Sequence, residues 1–230
     1  MGNDIFCFIP AKAASKRLKN KNTKKLVGKP MINYVIEAAK ASKIFKDHIY
    51  VSTESENTAK IATEAGAIVP QLRNEKYAFD PYGISDVLVE FIKQNPSLKN
   101  FKFIGILTPT SPLILDKDIV EAFDKFKSNK FDSLLSVSET DHNAYRSLRI
   151  ENDLLKPLYQ DEILMKSQEL EATYRINGAI TIIETKTFLE NKDFFVYPVG
   201  TYVMPKERSI DIDNQYDFFL AELILKNNLI

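Results

Sequence analysis

The sequence has little of several features that would indicate a particular class of protein. Cys7 is the only cysteine among the 230 residues, which excludes an intramolecular disulfide and a cysteine-based zinc cluster. The 31 Lys and Arg residues balance the 31 Asp and Glu residues, so the strongly basic composition of a nucleic-acid-binding domain is missing. No apolar run approaches the length of a membrane span, and the first run is too short for a signal peptide. We therefore expect a soluble protein of the cytoplasm, with no nucleic acid or membrane as its partner.

The chain has the composition and pattern of one α/β domain. Hydrophobic residues make up 44% of the sequence, enough for a sizeable core, and no repeat or linker divides residues 1–230. Strand-like apolar runs alternate with helix-like segments, which is typical of a mostly parallel sheet. Strands are predicted at 5–9, 48–53, 67–72, 103–107 and 133–137. A helix is predicted to follow Thr53 directly, with Glu54 and Glu56 in its first turn, where carboxylates suit the helix dipole.

The loop after the first strand is rich in positive charge. A loop that leaves a buried parallel strand lies at the carboxyl edge of the sheet, where open α/β sheets bind ligands. Its cations are Lys12, Lys16, Arg17, Lys19 and Lys21, and small residues lie between the first two of them. Small residues let backbone N–H groups approach an anion, and the cations neutralise it. The loop therefore predicts a polyphosphate site; the alternative is a solvated basic loop.

A second pattern lies near the C-terminal end, at Ser209–Asp217. Side chains of an extended segment alternate, so Asp211 and Asp213 are predicted to point to one side and to form an oxygen-rich site for Mg²⁺. A surface strand of alternating polarity is the alternative. Asp213-Asn214 equally suits the N-cap of a final helix at 215–226.

Five segments, spanning roughly residues 5–220, resemble in the right order the acylneuraminate cytidylyltransferase (CMP-sialic acid synthetase) family. The first is the basic loop, which keeps Ala11, Ser15, Lys16, Lys21 and Asn22 of the family pattern. The others are the polar segment Arg73–Ser85, P-T-S-P at 109–112, R-I-N-G-A-I at 175–180 and S-I-D-I-D at 209–213. Such matches become specific only in combination.

The resemblance implies a fold and a reaction. The fold would be nucleotide-diphospho-sugar transferase-like (Rossmann-like), with a mixed, mainly parallel sheet, helices on both faces and a dimerisation arm at 139–170. The reaction would join CTP to a nine-carbon 2-keto sugar acid, giving the CMP-sugar and pyrophosphate, with Mg²⁺ as cofactor and a homodimer as the assembly. A segment as long and irregular as 139–170 is itself unusual in a compact domain.

The resemblance also implies the role of each site residue. The triphosphate would be held by Lys16 and Lys21, together with Lys12 and the backbone amides of the loop. Ser15 and Asn22 would also bind the nucleotide. The nucleoside would be lined by Arg73, Asp80, Ser85 and Pro109. The acceptor would face Thr108, Arg146, Gln168, Arg175 and Asn177. The metal would bind Asp211 and Asp213, which with Lys16 and Lys21 make up the predicted catalytic set. No general base can be identified from the sequence.

Three positions depart from the family pattern on the acceptor side. Thr108 stands where the family has Gln, Ile114 where it has Arg, and Ser167 where an Arg is common. These losses predict an acceptor other than N-acetylneuraminate, such as a diacetamido acid of the legionaminic or pseudaminic kind, or a range of acceptors broader than N-acetylneuraminate alone. They also leave open a nucleotidyltransferase of the same fold that uses 3-deoxy-manno-octulosonate or another sugar. A non-catalytic sugar-nucleotide-binding module is the remaining alternative, and the acidic pair argues against it.

Overall fold

The computed structural model describes residues 4–15 and 17–230, so the predicted phosphate contact of Lys16 lies outside the described residues. The strands are β1 (Ile5–Pro10), β2 (Lys25–Leu26), β3 (Lys29–Pro30), β4 (Ile49–Ser52), β5 (Phe103–Leu107), β6 (Ser133–Glu139), β7 (Leu148–Glu151), β8 (Leu154–Pro157), β9 (Tyr174–Glu184) and β10 (Val199–Val203). The α-helices are α1 (Met31–Ala41), α2 (Glu56–Glu64), α3 (Ile84–Gln94), α4 (Asp116–Ser128), α5 (Thr185–Asn191) and α6 (Gln215–Lys226).

Six strands form the central sheet, in the order β10-β6-β9-β5-β1-β4. Strand β1 pairs in parallel with both β4 and β5, and β6 pairs in parallel with β10. Strand β9 runs antiparallel to both of its neighbours, β5 and β6. The sheet is therefore mixed and mainly parallel, as predicted. Because β1, β4 and β5 run in the same direction, the loops that follow them meet at one edge.

Strand β1 is buried on both faces, which explains its continuous apolar sequence. Cys7 and Ile9 pack into a core formed with α1 and α4, and Cys7 is fully buried. Phe6 and Phe8 point the other way and pack against α3 and α5. The predicted arrangement of helices on both faces is confirmed. In a third apolar cluster, α6 packs against β2 and the start of α1.

Two sequence predictions about the elements are wrong. The strand predicted at 67–72 is a single parallel bridge between Ile68 and Tyr50. Pro70 follows closely, and because proline has no N–H it cannot continue a hydrogen-bonded ladder. The second helix begins at Glu56, and the Ser55 side chain caps it by accepting from Thr58 N at 3.3 Å. Glu54 therefore lies in the loop before α2 rather than in its first turn.

The segment 139–170 contains more regular structure than its sequence indicated. Strands β7 and β8 form an antiparallel hairpin whose turn residues, Asn152 and Asp153, have φ values of 50° and 63°. Such values suit the tight turn that a hairpin requires. The hairpin exposes large apolar side chains, with Ile150 73% and Leu155 66% exposed. Among the described residues, no helix is long and apolar enough to cross a membrane.

Candidate active site

The loops that follow β1 and β5, together with residues 73–84 and the segment before α6, enclose a cleft at the carboxyl edge of the sheet. The cleft consists of two adjoining cavities of about 450 and 240 Å³, which share Lys12, Ser15 and Lys21 in their linings. The first cavity is also lined by Asp80 and Asp213. The second is also lined by Asn22, Arg73, Thr108 and Pro109. The structure thus brings together nine of the predicted site residues from four separate stretches of the chain.

Opposite charges meet directly in this cleft. Lys21 Nζ donates to Asp213 Oδ1 at 2.9 Å, and Arg17 Nη2 donates to Asp213 Oδ2 at 2.8 Å. Partial burial alone would favour the neutral acid, but these two cations hold the pKa of Asp213 below its ordinary value. Lys21 is the more buried cation, with 12% of its side chain exposed. Both cations therefore have a carboxylate partner when no phosphate is bound.

Asp211 has the opposite electrostatic environment. Asp211 lies beside the cleft and is exposed in part, but the protein around its carboxyl reduces its hydration, which raises the pKa of the carboxyl above the ordinary value. A hydrogen bond from Thr110 and the charge of Lys21 oppose this effect, whereas the charge of Asp213 adds to it. An ionised Asp211 is thus a destabilised charge, and a cation placed beside it would be favourable.

The acidic segment is held in the alternating arrangement that the sequence predicted. Ile212 N donates to Thr110 O at 2.8 Å, and the Ile212 side chain is fully buried, whereas Asp211 is exposed and Asp213 is partly exposed. Asn214 caps α6 by accepting from the backbone N–H groups of Tyr216 and Asp217. The helix cap and the acidic pair therefore coexist, because Asn214 serves the helix and the Asp213 carboxylate faces the cations.

The two carboxylates suit a magnesium site that water and substrate complete, rather than a metal site in which the protein supplies every ligand. In the part of the chain that the structure describes, no group of three or more His, Cys, Asp or Glu residues is arranged to hold a metal. Mg²⁺ commonly binds one or two carboxylates and completes its coordination with water and substrate phosphates. Asp211 and Asp213 have the donor chemistry for this kind of site.

A family model described as "Cytidylyltransferase" matches residues 6–224, which include every part of the cleft. The chain belongs to the cytidylyltransferase family. It is a nucleotidyltransferase enzyme, and the resemblance found in the sequence is confirmed.

Relatives and a solved structure extend over nearly the whole of this cytidylyltransferase. It is 35% identical to CMP-N,N'-diacetyllegionaminic acid synthase of Legionella pneumophila, and the match covers 97% of each chain. It is 34% identical to N-acylneuraminate cytidylyltransferase of Streptococcus agalactiae, over 92% of this chain and 51% of that relative. The structure of CMP:2-keto-3-deoxy-manno-octonic acid synthetase complexed with CTP superposes with a TM-score of 0.72, at 14% identity, over 97% of this chain and 99% of that one. This last similarity concerns the fold.

Sequence reasoning missed one residue beside the cleft of the cytidylyltransferase. Glu54 Oε1 accepts from Ala13 N at 2.6 Å and from Ala14 N at 3.4 Å, while Oε2 accepts from Arg73 Nη2. Burial favours the neutral acid, but the Arg73 hydrogen bond and the backbone N–H groups together lower the pKa of Glu54. The N–H groups of Ala13 and Ala14 thus point to a carboxylate, and the prediction that these loop amides face the phosphates is corrected.

The side chain of Asn177 is bonded inside the protein rather than directed at an acceptor. Its side chain is buried, and its Nδ2 group donates to Ser209 Oγ at 2.9 Å and to Met204 Sδ at 3.3 Å. Its Oδ1 atom accepts from Ser136 Oγ at 2.6 Å and from Ala179 N at 3.2 Å. These four bonds use the whole capacity of the amide. In this conformation Asn177 joins β9 to the segment that carries the acidic pair, which contradicts the direct acceptor contact predicted for it.

Of the other residues predicted to bind the acceptor, Thr108 lines the cleft, whereas Arg146, Gln168 and Arg175 line neither of its cavities. Arg146 belongs to residues 139–170, where its Nη2 donates to Met165 O at 2.6 Å and to Ser167 Oγ at 3.4 Å. Gln168 is exposed in the same segment. Arg175 Nη2 donates to Ser209 O at 3.0 Å, two residues before Asp211. A single chain therefore assembles the nucleotide side of the predicted site more completely than the acceptor side.

Three further positions have a clear structural setting. The Thr108 hydroxyl donates to Gly178 O at 2.9 Å, so it joins β5 to β9 at the floor of the cleft. Ile114 is 3% exposed and packs in the core, where an arginine could not be accommodated in the same way. Ser85 lies in the first turn of α3, one residue beyond the cleft-lining Ile84.

Proposed function

We propose that this cytidylyltransferase transfers CMP from CTP to the C2 hydroxyl of a nonulosonic acid and releases pyrophosphate. The observation that carries this proposal is the meeting of Lys21, Arg17 and Asp213 in one cleft with Asp211 beside them. Cations that can neutralise a triphosphate and carboxylates that can hold a metal are the two parts that phosphoryl-type transfer requires. The similarity to the Legionella synthase over nearly all of both chains supports the same reaction.

The cations act by exchanging partners. In the structure Lys21 and Arg17 donate to Asp213, and a bound triphosphate would offer them stronger acceptors. Their transfer to the phosphates would leave both acidic side chains for Mg²⁺. The metal, when bound, neutralises charge on the phosphates and orients them for attack. The protein's own contribution is to align the anomeric hydroxyl with the α-phosphorus and to neutralise charge during the transfer.

The second cavity suits the nucleoside. Pro109 and the paired rings of Tyr77 and Tyr82, whose centroids are 4.7 Å apart, give it apolar walls. Arg73 lines the same cavity, and its ion pair with Glu54 fixes the guanidinium at one place in the wall. A fixed donor discriminates between bases, because a base that lacks the matching acceptor leaves the donor unpaired. We assign Asp80 and Ser85 to the same half of the site.

The acceptor we propose is a diacetamido nonulosonic acid. Thr108 and Ile114 offer no long polar side chain where the family has Gln and Arg, and Ser167 is small and exposed. Each hydrogen bond lost in this way is worth about 0.5–1.5 kcal/mol, or more when it involves a charge. The name of the Legionella relative is consistent with this choice. Arg146 and Arg175 would hold the carboxylate that all these acids share.

We also propose a homodimer in which residues 139–170 reach the acceptor site of the neighbouring subunit. The exposed apolar side chains of the β7–β8 hairpin, including Leu154 and Leu155, form a surface of the kind that marks protein interfaces. Arg146 and Gln168 lie in the same segment and outside the cleft of their own chain. Completion of the acceptor site by the partner would account for their position. We expect the enzyme to act in the cytoplasm.

The experiment that tests the function is a turnover assay with CTP and Mg²⁺ in which released pyrophosphate is measured. The acceptors to compare are N-acetylneuraminate, the diacetamido legionaminic and pseudaminic acids, and 3-deoxy-manno-octulosonate. We expect the highest kcat/KM with a diacetamido acid. Highest kcat/KM with the octulosonate would replace the proposed acceptor class, and a tenfold preference for N-acetylneuraminate would show that the substitutions at 108, 114 and 167 do not set specificity.

A further inference from the structure

Glu54 connects two parts of the cleft that are distant in sequence. One of its carboxylate oxygens accepts from the backbone of the basic loop, at Ala13 and Ala14, and the other accepts from the Arg73 guanidinium. The Glu54 and Arg73 side chains are only 10% and 6% exposed. The basic loop lines the phosphate side of the cleft, and Arg73 lines the nucleoside side. The carboxylate therefore joins the loop that lines the phosphate side to the arginine that lines the nucleoside side.

The topology of the sheet explains why this residue can make both contacts. Strands β1 and β4 are neighbours and end at the same edge, where Ala11 N donates to Ser52 O at 2.9 Å. Glu54 follows β4 by two residues and so lies beside the loop that follows β1. Arg73 is held next to it because Arg73 N donates to Thr53 O at 2.8 Å. The backbone thus presents Arg73 and the loop to opposite sides of one carboxylate.

Charge and geometry both require a carboxylate at this position. Two acceptor oxygens are needed, one for the loop N–H groups and one for the guanidinium. The lowered pKa of Glu54 keeps it ionised at neutral pH. Glutamine has one acceptor oxygen and one NH₂ group, so either orientation of its amide would place a donor against another donor.

We propose that Glu54 is a positioning residue for CTP. Glu54 fixes the basic loop and the Arg73 side chain in one binding-competent arrangement. This inference rests on the proposed function, since it takes CTP as the ligand of the cleft. Glu54 does not line either of the two cavities and would not touch the reacting atoms. Its effect would be on nucleotide affinity, through groups that hold the ground state and the transition state equally.

The experiment compares Glu54→Gln and Glu54→Asp with the matched control Glu56→Gln. Glu56 is exposed in the first turn of α2, so its variant makes the same change of charge two residues away. For Glu54→Gln we expect the KM for CTP to rise at least tenfold, with kcat and the KM for the sugar acid changed by less than threefold. Glu54→Asp keeps the charge and should give an intermediate KM, whereas Glu56→Gln should match the wild-type protein.

Calorimetry separates a connecting role from a role in one half of the site. Inorganic tripolyphosphate probes the phosphate loop, and CMP probes the nucleoside side. Both ligands should bind at least fivefold more weakly to Glu54→Gln than to the wild-type protein. Weakening of only one of them would overturn the proposal that Glu54 links the two halves. A KM for CTP within twofold of the wild-type value, in a variant that is folded by its thermal melting transition, would also overturn it.

Two further outcomes are decisive. If Glu54→Gln does not fold, Glu54→Asp tests the proposal instead. The shorter aspartate side chain cannot span both contacts, so the KM for CTP should rise at least threefold while kcat stays unchanged. A rise in both KM values together with a fall in kcat would assign Glu54 a general structural role and refute the proposal. If the wild-type protein turned over no sugar acid, the proposed function would fail, while the calorimetric comparison would still test Glu54.

Discussion

The acidic pair offers a test in which two neighbouring substitutions should change stability in opposite directions. Asp211 is a destabilised carboxylate, since reduced hydration and the nearby Asp213 raise its pKa. Asp213 is stabilised by Lys21 and Arg17, which lower its pKa. We therefore expect Asp211→Asn to stabilise the ligand-free protein and Asp213→Asn to destabilise it. If both carboxylates hold the metal, both substitutions should nevertheless reduce turnover.

The magnitudes follow from these environments. Asp211 is exposed to solvent, which screens its charge, so relief of this unfavourable charge should add no more than about 1 kcal/mol to the free energy of unfolding. For a protein of this size, that corresponds to a rise in Tm of up to about 4 °C. The ion pairs of Asp213 are partly exposed, with 35% of its side chain accessible, so each is worth only about 0.2–1 kcal/mol. Asp211→Asn should lower kcat at least tenfold, which is about 1.4 kcal/mol of transition-state stabilisation.

The assay combines thermal unfolding of the ligand-free variants with pyrophosphate release at saturating Mg²⁺. Glu222→Gln, a substitution on the far part of α6, is a suitable control because Glu222 forms an ion pair only with Lys226 among the contacts described for it. Near-normal turnover by Asp211→Asn would refute the metal assignment. A lower Tm for Asp211→Asn than for the wild-type protein would refute the electrostatic argument, whatever the effect on turnover.

Three other expectations can be checked directly. The kcat/KM for CTP should exceed that for ATP or GTP at least a hundredfold. Arg73→Lys should reduce this ratio, because lysine lacks the planar fork that can hold Glu54 and present a second fixed donor to the base. Light scattering at micromolar concentration should show a dimer. Ile150→Lys combined with Leu155→Lys should give a monomer with impaired acceptor binding. A fully active monomeric wild-type protein would contradict the proposal that residues 139–170 form a dimerisation arm. The ionised Glu54 carboxylate should contribute fully to the free energy of unfolding above pH 4.5, its ordinary pKa. This contribution should be lost as the pH falls through the lower pKa of the folded protein. The free energy of urea unfolding should therefore depend less on pH in that range for Glu54→Gln than for the wild-type protein.

Local patterns in the sequence were sufficient for much of the fold and for the place of the basic loop at the carboxyl edge of the sheet. The apolar run of β1 predicted burial on both faces, because alternate side chains such as Cys7 and Phe8 must both find a hydrophobic neighbour. The spacing of Asp211 and Asp213 around Ile212 predicted one acidic and one buried side, since an extended chain alternates with a period of two. These features depend on residues that are close together in the chain.

Tertiary structure decided the features that depend on which strands are neighbours. Glu54 has the sequence context of a helix start, and only the pairing of β4 with β1 brings it to Ala13. Asn177 stands in a motif that suggested a ligand contact, and the approach of β9 to β6 and to Ser209 uses its amide inside the protein instead. Periodicity reports how a residue is oriented within its own element. It carries no information about the partner across the sheet, and that partner determines whether a polar side chain binds a ligand or holds the protein together.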